Sequence, residues 1–125
     1  MSKKRNTLSS IITCTLLEKG LGDELNIEFI ESGHELTVRL TGELDHHGAD
    51  ANRDKIDERI NNNDITKLVI DLEKLDFIDS SGIGFVIGRY KNIRKQNGVI
   101  EIINASKKVR KILDMSGIGK IINIK

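Results

Sequence analysis

The chain has 125 residues, 38% hydrophobic and 31% charged, with a formal net charge of +1 at pH 7. That length suits one domain with a single core, and the near-zero charge gives no overall electrostatic case for nucleic acid. The lone cysteine, Cys14, excludes an internal disulfide framework, and no run approaches the ~20 apolar residues that span a bilayer.

Residues 1–23 begin with Lys3, Lys4 and Arg5 ahead of an apolar patch, the outline of a signal peptide. Ser9, Ser10, Thr13 and Thr15 interrupt that patch, and no small-x-small cleavage site follows. The segment is therefore expected to be a flexible N-terminal extension, a weak amphipathic leader or disordered tail, on a cytoplasmic protein. Residues 24–125 carry the domain.

Leu25, Ile27 and Phe29 alternate with Asn26 and Glu28, and Leu36, Val38 and Leu40 alternate likewise, both at the strand period. Ser32 and Gly33 between them supply turn chemistry, so the pair reads as a β-hairpin. Asp45 is a helix N-cap, and the helix behind it runs to about Asn62 with a thin buried stripe of Ala49, Ile56 and Ile60. Lys67–Leu72 is short, apolar and β-branched, as a strand buried on both faces requires. A second helix starts at Ser80 or Ser81 and ends near Gln96, closed by Asn97 and Gly98 as an αL cap. Val99–Asn104 reads as a strand. A helix capped by Ser106 follows, with Val109, Ile112 and Leu113 inward and Gly117 or Gly119 at its end. Ile121–Ile124 is a last strand. Lys107, Lys108, Arg110 and Lys111 form a solvated face of the third helix. The order β-β-α-β-α-β-α-β predicts a single α/β domain, a mixed sheet with helices packed on it.

The stretch DFIDSSGIGFVIGRY, Asp76 to Tyr90, concentrates the chemistry. Gly82, Gly84 and Gly88 fall inside the second helix, where each costs roughly 1 kcal/mol relative to alanine. Ile83, Val86, Ile87, Tyr90 and Ile93 share one stripe that should face the sheet. Phe85 falls opposite and should point outward, as a partner contact or a lid. Gly84 and Gly88, one turn apart, leave a smooth groove that another backbone could approach, or else admit close packing on the domain's own sheet. Asp79 or Ser80 can cap the helix. Ser80 can equally be a phosphoacceptor, because a helix N-terminus offers unpaired N–H groups and partial positive charge to an anion.

Other chemistries fit poorly. DSSGIG lacks the G-x-S-x-G elbow, although His46 or His47 could in principle serve Ser80 as base in a small hydrolase. No P-loop is present, and GIGFVIG has the wrong spacing for a dinucleotide fingerprint. The adjacent His46 and His47 point apart on a helix or a strand, so a shared metal ion is not expected, nor is any cofactor.

TGELDHHGAD (Thr41–Asp50) and LEKLDFIDSSGIGFVIGRYKNIRKQNG (Leu72–Gly98), with LDMSGIGKII near the C-terminus, resemble the anti-sigma factor antagonists of the STAS family. The resemblance covers residues 24 to 125. It implies a mixed sheet with packed helices and a protein that is not an enzyme. The unphosphorylated form would bind an anti-sigma factor that is also a serine kinase, freeing a sporulation sigma factor. The kinase would then phosphorylate Ser80 to end the complex, and a serine phosphatase would reverse this. Asp45, Asp79, Ser81, Gly82, Gly84 and Phe85 would form the partner surface. No nucleic acid, membrane, metal or cofactor is implied. A STAS module in another partner-switching stress or signalling pathway is the alternative.

Overall fold

The alternating apolar residues fold as their period dictates. In the computed structural model, which describes residues 11–15, 25–62 and 64–125, β2 (Leu25–Ser32) and β3 (Glu35–Leu44) form an antiparallel hairpin. Gly33 takes φ +61° at its turn, a conformation that favours glycine. Leu25, Ile27, Phe29, Leu36, Val38 and Leu40 bury one face of the hairpin.

Helix α1 (His46–Asn62) lays Ala49, Ile56 and Ile60 into the core, the stripe read from the sequence. Arg59 in its last turn pairs with Glu31 at 3.2 Å and lies over the Phe29 ring at 4.8 Å, fastening the helix to the hairpin. Strand β4 (Lys67–Ile78) pairs in parallel with β3 on one side and with β5 (Val99–Ile103) on the other. Leu68 to Leu72 are buried without alternation, as in a strand covered on both faces.

Helix α2 (Ser80–Arg94) connects β4 to β5. Its end is tight: Asn97 takes φ +59°, and the Gly98 N–H donates to the Ile93 carbonyl at 2.9 Å. Helix α3 (Lys107–Ser116) is capped by Ser106, whose Oγ accepts from the Val109 N–H at 3.2 Å, and is closed by Gly117 at φ +82°. A single 3₁₀ turn at Ile118–Lys120 leads into β6 (Asn123–Ile124), parallel to β5. Among the described residues no helix is long and apolar enough to cross a membrane.

Three expectations are corrected. First, β3 and β4 run well past Leu40 and Leu72. Two register shifts, between Arg39 and Thr41 and between Gly42 and Glu43, break the period but not the pairing, and Gly42 absorbs one of them at φ +110°. Second, the segment expected as a flexible extension contains β1 (Ile11–Thr15), antiparallel to the outer edge of β2. Thr13 and Thr15 look like interruptions of an apolar patch, yet they are β-branched and favour a strand as isoleucine does. Residues 1–10 and 16–24 lie outside the described residues. Third, Phe85 is turned inward, only 6% exposed, and joins the core. The sheet order is β1-β2-β3-β4-β5-β6, identical to the chain order.

The glycines of α2 divide into two kinds. A Cβ on Gly82 would lie 2.4 Å from the Leu44 carbonyl oxygen and 2.6 Å from Ile78 Cγ1, whereas a Cβ on Gly84 or Gly88 would meet nothing within 4 Å. Gly82→Ala is therefore expected to destabilise the fold by about 1–3 kcal/mol through overpacking. Gly84→Ala should stabilise it by up to ~1 kcal/mol through helix propensity. Urea unfolding of the two variants checks the opposite signs. Leu68→Ala, at a fully buried position of the central strand, should cost about 2–5 kcal/mol in the same measurement.

Candidate functional site

Parallel strands end at the same edge of a sheet, so the helices that follow them start side by side. Here Leu44 at the end of β3 pairs with Ile78 at the end of β4, and the next residue on each strand is an aspartate. Asp45 Oδ1 accepts from the Gly48 N–H at 3.0 Å, and Asp79 Oδ1 accepts from the Gly82 N–H at 3.0 Å. Both aspartates are half-buried caps of neighbouring helix N-termini. Their carboxylates sit where the partial positive charge of each helix stabilises an anion. The Asp79 N–H in turn reaches the Leu44 carbonyl at 3.4 Å, joining the two starts directly.

Ser80 is the first residue of α2 and is exposed. Asp79 supplies the cap, so the Ser80 hydroxyl does not, and among the described residues it makes no other side-chain hydrogen bond. His46 and His47 are exposed in the first turn of α1, and neither is hydrogen-bonded to Ser80. A serine nucleophile would need such a base to lose its proton.

Of the remaining residues singled out by sequence, Ser81 is half-buried, Gly84 exposed, and Gly82 buried against the Leu44 backbone. Gly82 thus shapes the site from beneath rather than presenting a surface. Asp45, Asp79, Ser80 and Ser81 come together at one end of the domain, and Gly84 follows one turn behind along α2.

Phe85 belongs instead to the contact between the helices. Helix α2 is covered twice: Val86 and Ile93 are buried in the core, while Phe85 and Arg89 face α1. The Arg89 guanidinium lies 4.9 Å over the Phe85 ring and pairs with Asp57 of α1, Nε to Oδ1 at 2.8 Å. Arg89 Nη2 donates to the other Asp57 oxygen at 3.2 Å, and Asn92 donates to Asp57 at 2.9 Å. Burial pulls the Arg89 pKa down and the Asp57 charge pulls it back up, with Arg53 nearby adding to the lowering. A guanidinium has so high an ordinary value that it stays charged.

Above this pair runs a groove of about 280 Å³. Ala49, Phe85 and Gly88 form apolar parts of its lining, Arg53 and Arg89 carry its positive charge, and Asp50, paired with Arg53, also lines it. Ser81 and Gly84 also line it, so it is continuous with the Ser80 surface. Sequence reasoning anticipated a groove at Gly84 and Gly88 but missed Arg53 and Arg89. The available signal was the spacing: Phe85 and Arg89 stand one turn apart, so a buried Phe85 carries Arg89 with it.

Comparison with known proteins agrees with this architecture. The family model described as STAS domain matches residues 26–125. An anti-sigma F factor antagonist of Paenibacillus polymyxa is 42% identical over 100 residues, spanning 80% of this chain and 86% of that protein. The solved structure of the anti-sigma factor antagonist SpoIIAA in its unphosphorylated form superposes with a TM-score of 0.71 at 33% identity, over 79% of this chain and 87% of that one. The Bacillus cell fate determinant SpoIIAA in the phosphorylated form gives a TM-score of 0.63 at 32% identity, over 79% and 90%. With its mixed sheet, its paired helix starts and a family match spanning residues 26–125, the chain belongs to the STAS domain family.

Proposed function

We propose that this chain is an anti-sigma factor antagonist, switched by phosphorylation of Ser80. In the unphosphorylated state it binds an anti-sigma factor in the cytoplasm and so frees a sporulation sigma factor. The anti-sigma factor doubles as a serine kinase and a separate serine phosphatase resets the cycle. The antagonist contributes binding and a hydroxyl, not catalysis. The observation that carries this reading is Ser80 itself: exposed, bonded to no other side chain among the described residues, and first in a helix whose cap is already supplied by Asp79.

In the transfer, Ser80 Oγ attacks the γ-phosphorus of ATP, the bond to the β-phosphate oxygen breaks, ADP leaves, and the hydroxyl proton passes to a base of the kinase. The product gains about −1.5 to −2 charge. Against a formal net charge of +1, that reverses the sign of the whole chain only weakly. Its effect is local, because Asp79 and Asp45 already hold negative charge at the same edge. A partner complementary to the neutral hydroxyl must then desolvate a phosphate or withdraw. Asp45, Asp79, Ser81 and Gly84 form the partner surface. Gly82 and Phe85 support it from below.

Incubation with the kinase and ATP should place phosphate on Ser80, read by mass spectrometry; labelling elsewhere would contradict the assignment. Ser80→Ala should bind the anti-sigma factor and escape inactivation. Ser80→Asp should bind about a hundredfold more weakly, equivalent to ~3 kcal/mol. Equal affinity of Ser80→Asp and the unmodified protein by isothermal titration would refute the electrostatic switch.

A further inference from the structure

The groove between α1 and α2 has two features that the domain's own packing does not explain. The first is its wall. Gly84 and Gly88 sit in the middle of α2, where glycine weakens a helix, yet added Cβ atoms at either would meet nothing within 4 Å. No contact among the described residues demands glycine there; the residues keep the wall flat. The second is its charge. Arg89 is 4% exposed, and its Nη1 has no hydrogen-bond acceptor among the described residues. Asp57 accepts from Nη2 and lies in ion-pair range of Nε at 2.8 Å without a directed hydrogen bond there, and Asp50 takes up Arg53 at 2.6 Å, so Nε and Nη1 of Arg89 are the donors left over. Buried guanidinium donors are normally matched by acceptors, and a carboxylate is the geometry they fit best.

We infer that the groove receives an acidic side chain of the protein that meets Ser80, with that partner's backbone lying flat over Gly84 and Gly88. This rests on the reading of the chain as an anti-sigma factor antagonist and extends its contact surface along α2. Three observations single out that occupant. The groove shares Ser81 and Gly84 with the Ser80 surface, so a segment docked on the helix start runs directly into it. Arg53 on the rim is already paired with Asp50, so it is the unmatched Arg89 donors that select a carboxylate over a cation. The apolar lining from Ala49 and Phe85 suits the stem of a side chain rather than a free inorganic ion.

The test fills the groove from its open side. Gly88→Leu adds a side chain into empty space and raises helix propensity, so its melting temperature should not fall. Arg53→Glu reverses charge at an exposed rim position. Isothermal titration against the anti-sigma factor of the source genome should show each variant about tenfold weaker than the unmodified chain, as expected when a central contact is removed. Affinity within about twofold for Gly88→Leu would overturn the inference, well short of the tenfold that each 1.4 kcal/mol represents. Ser80→Asp is measured alongside. If Ser80→Asp loses affinity and Gly88→Leu does not, the antagonist reading stands and the groove contact falls. If the unmodified chain fails to bind at all, the antagonist reading falls first. A change in self-association of Gly88→Leu with unchanged anti-sigma binding would assign the groove to a second copy of this chain and equally overturn the inference.

Discussion

The Leu44 carbonyl is the point on which the functional end of the molecule turns. It accepts from the Asp79 backbone N–H and lies where a Gly82 side chain would be. Only a residue without a Cβ allows the first turn of α2 to press against the end of β3 so closely. That approach sets the start of α2 beside the start of α1, brings Asp45 and Asp79 to one edge, and leaves Ser80 facing outward between them and the solvent. A serine at the head of a helix is common. A serine held there by a backbone contact from a neighbouring strand has a fixed position relative to a second helix start.

The same helix is held along its length by a different kind of contact. Asp57 receives Arg89 and Asn92 from α2 while Arg89 stacks on Phe85, so one half-buried carboxylate ties the two helices together. Ion pairs at such sites offset their own desolvation only when geometry and additional hydrogen bonds are good. Here they specify which face of α2 meets α1.

Much of this was legible from the amino-acid order, and the misses have physical causes. The hairpin and the first stripe of α1 follow from simple periods of two and 3.6 residues, and the caps at Asp45 and Ser106 follow from side-chain chemistry at helix starts, which left the second helix start between Asp79 and Ser80. The extensions of β3 and β4 were hidden because the bulges shift the period partway along, and a pattern count sees the break rather than the continued pairing. Phe85 was misplaced because a single apolar stripe implies a helix with one buried side. A helix covered by a sheet on one side and a second helix on another shows no clean stripe, so its apolar residues surround it. Strand β1 was missed because hydroxyl-bearing threonines read as polar although their backbone preference is that of isoleucine. Ser80 was legible as a residue at a helix start, with the cap left open between it and Asp79, and the structure gives the cap to Asp79.

The identity of sheet order and chain order has a consequence for biosynthesis. Each strand pairs with the one made just before it, so no strand waits for a distant partner and the non-local cost of sheet formation is spread evenly. Domains generally fold from the N-terminal side as they emerge from the ribosome. Strands β2 to β4 and helices α1 and α2 contain both aspartate caps, Ser80 and the whole groove, and all of them precede β5, α3 and β6 in the chain. The helix starts and the groove can therefore form before the last fifth of the polypeptide, residues 99–125, closes the far edge of the sheet.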